Sequence, residues 1–124
     1  MDQALRKNRA CLVLAFVILA ACSRDPAKQK AVYLASGEKY AKAGKYQEAV
    51  IQFRNAIEID PRFAEAHHQL ANVYIKLKSG QQAYRELQTT LELDSNNTDA
   101  RLEFATLLIG APASMTMRRR PRKK

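Results

Sequence analysis

Apolar residues recur at spacings of three and four along five stretches of the chain, each closed by a turn signal. Tyr33, Gly37, Tyr40 and Ala41 fall on one face of a helix predicted over about residues 27–43, with Gly44 as its stop. Ala49, Val50, Phe53, Ala56 and Ile57 mark the buried face of a second, over about 46–59. Its Gln47, Glu48, Gln52, Arg54 and Glu58 point to water, and Pro61 ends it because a proline cannot continue the hydrogen-bond ladder. A third helix is predicted over about 63–77. A fourth, over about 81–93, buries Ala83, Tyr84, Leu87 and Leu91. The turn Asp94-Ser95-Asn96-Asn97 follows, with Asn96 or Asn97 as N-cap candidate. A fifth helix starts near Thr98 and ends by Gly110. Gly and Pro number four each, too few for a sandwich or barrel, so the pattern predicts an all-α chain.

The pattern also repeats. An offset of 34 residues carries Tyr40 onto Tyr74, Ala49 onto Ala83, Phe53 onto Leu87 and Gly37 onto Ala71. The run Ala56-Ile57-Glu58-Ile59-Asp60 becomes Thr90-Leu91-Glu92-Leu93-Asp94. A fixed offset kept through large and small residues marks a repeat architecture. On these residues the chain resembles the tetratricopeptide repeat (TPR) family. The resemblance implies an α-α superhelix, a TPR solenoid of two full helical hairpins plus one unpaired helix. Repeat one would cover about residues 30–63, repeat two about 64–97, and a partial repeat 98–109, within a domain over 28–109. The expected packing residues are Tyr33, Gly37, Tyr40, Ala49, Phe53, Ala56, Pro61, Leu70, Ala71, Tyr74, Ala83 and Leu87. Gly37 costs about 1 kcal/mol against Ala in mid-helix, and its use is close approach by the partner helix. Three departures predict a looser second unit: Ser95 where Pro61 stood, Thr90 for a small apolar residue, and Gly80 two places later than Gly44 requires.

The third unit has a first helix and no second. Leu70, Ala71 and Tyr74 map onto Phe104, Ala105 and Leu108. Phe104, Leu107, Leu108 and Ile109 leave more apolar surface than one neighbour covers. Two expectations stand side by side: an N-terminal fragment of a longer TPR array, or a homo-oligomer built through the last helix.

The start of the chain reads as an address. Arg6, Lys7 and Arg9 precede an apolar run from Ala10 to Ala21. Twelve helical residues span roughly 18 Å, short of the about 30 Å of a bilayer core. The run ends Leu19-Ala20-Ala21-Cys22, which resembles the bacterial lipobox. That resemblance implies residues 1–21 as signal peptide, cleavage between Ala21 and Cys22, and lipid on Cys22, since a thiol is the nucleophile such transfer needs. Residues 22–27 would be a tether, with membrane contact through the lipid. Ser23 after the cysteine favours the outer over the inner membrane, on the periplasmic side. Cys11 leaves with the leader, so the mature chain has no disulfide.

The formal charge of +9 belongs to the ends. Between Cys22 and Met117 there are 12 basic and 11 acidic residues. Residues 110–124 read as a disordered tail ending in the basic run Arg118 to Lys124. Nucleic acid is not the expected partner of an exported protein.

No catalytic constellation is present, no cofactor motif, and no metal set. His67 and His68 are the only histidines, and neighbours on a helix point about 100° apart. The offset puts His67 in the place of Tyr33, facing the core. His68, Asn72 and Lys76 form one stripe of the third helix, joined by Glu38 and Lys42 of the first. This predicts a polar peptide-binding groove: lysines for a carboxylate, Asn72 for peptide backbone, His68 as a pH-sensitive edge. The whole reads as a non-enzymatic, membrane-anchored scaffold that binds a protein or peptide in the cell envelope. Resembling lipoproteins serve envelope assembly, secretion or exopolysaccharide export. The alternative is a structural subunit that oligomerises.

Overall fold

A computed structural model describes residues 25–110. The leader, Cys22 and residues 111–124 lie outside the described residues. Five helices follow one another: α1 (Pro26–Lys42), α2 (Tyr46–Ile59), α3 (Ala64–Lys76), α4 (Gly80–Leu93) and α5 (Thr98–Gly110). Asp25 caps α1, its side chain accepting the Ala27 N–H at 3.0 Å. The helix therefore begins at Pro26, one residue ahead of the predicted start at about 27 and inside the stretch 22–27 expected as tether. The second arms α2 and α4 are both 14 residues long and begin and end 34 positions apart.

The hairpins α1–α2 and α3–α4 pack internally, and α2 then packs on α3 and α4 on α5. Ala49, Val50, Phe53, Leu70, Val73, Tyr74 and Ala83 make the main core, with Leu34, Tyr40, Ala41 and Tyr46 packed around it. Ala71, Leu87 and Ala100 make a second cluster, covered by Leu91, Phe104 and Leu107. Phe53 is fully buried, a gain of roughly 1.5–3 kcal/mol over an exposed side chain. It lies against Gly37, the close approach that the missing Cβ allows. Two expected packing residues are not in the core. Tyr33 is half-buried at the start of α1, beside a recess it lines with Asp25, Lys28, Gln29 and Val32. Pro61 is exposed, because it heads the turn after α2.

The turns repeat as closely as the helices. Within each hairpin the chain closes with a Schellman motif. Lys45 N–H bonds the Tyr40 carbonyl and Gly44 N–H that of Ala41; Ser79 and Lys78 do the same to Tyr74 and Ile75. The left-handed residue is Gly44 at φ +74° in the first and Lys78 at φ +56° in the second. Gly80 is no displaced stop; it is the first residue of α4. Between hairpins, Asp60 and Asp94 adopt near-identical extended backbones, at φ −136° in each. Their side chains accept the N–H of Arg62 and Asn96 at 3.0 and 3.1 Å. Ser95 thus makes the turn that Pro61 makes. Thr90 is fully buried with its hydroxyl donating to the Glu86 carbonyl at 2.8 Å. The three departures leave the second unit with the geometry of the first.

Candidate functional site

A groove of about 740 Å³ opens between α3 and α5. The 3.6-residue period sets Asn72 and Lys76 one turn apart on α3, and both line it, with Ile75 beside them. Leu102, Glu103, Thr106 and Leu107 line it from α5, and Lys78 and Gly80 from the turn into α4. Among the described residues neither Lys76 nor Lys78 pairs with a carboxylate. Leu102 is 70% exposed. The groove therefore combines free cations with exposed aliphatic surface.

Of the five residues predicted for the groove, Asn72 and Lys76 are in it and three are elsewhere. Glu38 and Lys42 on α1 do not line it. His68 is no exposed edge: it is buried, with Nε2 bonded to Glu103 at 2.9 Å. His68 and Asn72 both meet Glu103, so α5 covers the His68 end of the stripe. With its amide nitrogen toward α5, Asn72 donates to both Glu103 oxygens, at 2.8 and 2.9 Å; the opposite orientation would set oxygen against carboxylate. Glu103 is thus tied to α3, and its carboxylate lines the same groove as the two lysines. Sequence reasoning missed Lys78 and the α5 wall. The signal for Lys78 was present: it stands where the offset demands Gly44.

His67, in the place the offset gave it, is buried between α3 and its neighbours. Its Nδ1 lies 2.7 Å from Glu86 Oε2 and its Nε2 3.1 Å from the Pro61 carbonyl. The bond to Glu86 raises its pKa above the usual 6.5 and outweighs the opposing effect of burial; Pro61 and the nearby charge of Asp60 add to the rise. Asp60 pairs with Lys30 of α1, which holds its carboxyl below the usual range, helped by the Arg62 N–H. Lys30 also lies 4.6 Å over the Phe63 ring. Among the described residues no group of three or more His, Cys, Asp or Glu side chains is placed to hold a metal ion.

Paired helices at a fixed offset, closed by matching turns, agree with a family model described as a TPR repeat, which matches residues 37–78. Residues 37–78 are thus a tetratricopeptide repeat segment, about a third of the chain. TPR repeats are a protein-interaction fold, not a catalytic one. Among solved structures the chain is similar to the first TPR of Spaghetti (RPAP3) bound to HSP90 peptide SRMEEVD. The identity is 19% and the TM-score 0.39, over 66% of this chain and 92% of that one. No curated protein matches the chain.

Proposed function

We propose that this TPR protein is a lipid-anchored scaffold of the bacterial cell envelope that captures a protein partner in the α3–α5 groove. The groove carries the reading. It joins two free lysines, Lys76 and Lys78, to exposed aliphatic surface from Ile75 and Leu102. A peptide segment bearing a carboxylate beside an apolar side chain satisfies both. Anchoring rests on the sequence Leu19-Ala20-Ala21-Cys22 behind a basic start. Two or more acyl chains on Cys22 hold a protein stably at a bilayer, on the periplasmic side, with Ser23 favouring the outer membrane.

The test is crosslinking in intact cells followed by mass spectrometry, on wild type and on Lys76→Ala with Lys78→Ala. The expected result is a defined envelope partner whose yield falls in the double variant. An unchanged partner set removes the groove from the proposal. Metabolic labelling with a clickable fatty acid tests the anchor: label on wild type, none on Cys22→Ser.

A second reading is favoured by α5 itself, where Leu102 and Ile109 are 70% and 88% exposed. The chain then assembles with its own copies through α5. Light scattering of the full chain in detergent separates the two, a defined oligomer supporting assembly and a monomer supporting capture.

A further inference from the structure

The adjacent histidines of α3 sit in opposite hydrogen-bonding settings. His68 Nδ1 faces the Asn97 amide nitrogen at 3.5 Å. The orientation of that amide is fixed, because its oxygen accepts the Ala100 N–H at 2.9 Å. An amide nitrogen only donates, so Nδ1 accepts and one ring hydrogen, on Nε2 toward Glu103, satisfies His68. His67 differs. Both of its ring nitrogens face acceptors, the Glu86 carboxylate and the Pro61 carbonyl. A neutral imidazole carries one ring hydrogen and would turn a lone pair on one of them. The His67 side chain is 10% exposed, so water is a poor substitute for the lost bond.

From this geometry we propose that His67 is held as an imidazolium and works as a proton-dependent clasp across the joint between the repeats. One N–H grips the turn that joins the two hairpins, at Pro61. The other grips the outer arm of the second hairpin, at Glu86. Loss of the proton releases one grip. The charges around it are Glu86 from α4 and Asp60 from the turn, which is paired in part with Lys30 of α1. The carboxylate of α5, Glu103, is directed to His68 instead. Both carboxylates near His67 favour the proton. The joint is therefore firm in acid and loosens as the pH rises, and the mutual setting of the two hairpins becomes a function of proton concentration.

The experiment uses the full chain with ¹⁵N-labelled histidine. At about pH 7 ring-nitrogen NMR is expected to show hydrogen on both His67 nitrogens. Amide protection over residues 60–67 and α4, corrected for intrinsic exchange rates, is expected to fall as the pH rises through the His67 midpoint. Glu86→Gln is expected to shift that midpoint downward, and His67→Gln to abolish the pH dependence of protection. A single ring hydrogen on His67 at that pH, or wild-type protection independent of pH, overturns the proposal. The ring-nitrogen measurement needs no variant, so a misfolded substitution does not rescue it.

Discussion

The Cβ that Gly37 lacks would stand 2.5 Å from Cε1 of Phe53 and 2.6 Å from its Cδ1. Phe53 is fully buried, so the ring cannot swing out into water. Overpacking of this kind costs typically 1–3 kcal/mol, against about 1 kcal/mol gained from alanine's helix propensity. Gly37→Ala is expected to lower stability by up to about 2 kcal/mol in urea unfolding. A smaller ring neighbour should relieve it. In a double-mutant cycle with Phe53→Leu, the two substitutions should cost less together than the sum of their separate effects.

Lys78 holds a left-handed backbone at φ +56°, where a side chain is unfavourable. The conformation costs roughly 1–2 kcal/mol for a residue with a Cβ. Lys78→Gly is expected to raise stability by about 1 kcal/mol, and Gly44→Ala to lower it by a similar amount. Thermal or urea midpoints of the two variants, moving in opposite directions, check the point.

Stability should depend on pH through two limbs. Asp60 titrates below its usual 3.8 in the folded chain. Its contribution is present above 3.8 and lost as pH falls through the folded value. His67 titrates above its usual 6.5. Its contribution is complete below 6.5 and lost as pH rises through the folded value. Lys30→Met should flatten the acid limb alone, and Glu86→Gln the upper limb alone, in denaturation midpoints measured across the range.

Leu87 is fully buried where α4 meets α5. Leu87→Ala is expected to cost about 2–5 kcal/mol. Because α5 packs chiefly on α4, hydrogen exchange should quicken in α5 before it does in α1 and α2.

Asn97 caps α5 through the Ala100 N–H and reaches His68 with its amide nitrogen. Asn97→Ala removes both, with an expected loss of about 1–2 kcal/mol. Asn97→Asp restores the cap alone. Recovery of most of the stability by aspartate would assign the loss to capping.

Much of this was legible in residue spacing because repeats state the same local rule twice. The offset placed α2 and α4 and assigned His67 to a buried position, and a mid-helix glycine marked the close approach at Gly37. Asn97 was one of two cap candidates in the turn. Where the reading failed, the cause was contact between elements distant in sequence. His68 shares a stripe with Asn72 and Lys76, and helical periodicity cannot reveal that α5 lies over one end of that stripe. Pro61 belongs to the repeat skeleton without packing in the core: it is exposed, and it restricts the backbone of Asp60 before it. Ser95 achieves the same turn through the carboxylate of Asp94. Lys78 was overlooked because a conformation was retained after its usual residue had gone.

Ala100 is the one fully buried residue of α5, and Ile109, near the far end, is 88% exposed. The groove is therefore bounded on one side by a beam seated at Ala100, held along its middle by Phe104 and Leu107, and least covered, among the described residues, at Ile109. Bending should be easiest toward Ile109, so an occupant that enters there should meet the most compliant part of the wall first and the stiffest only after it has advanced toward Asn97. Grip should tighten with depth of insertion, and short segments should be held less selectively than long ones.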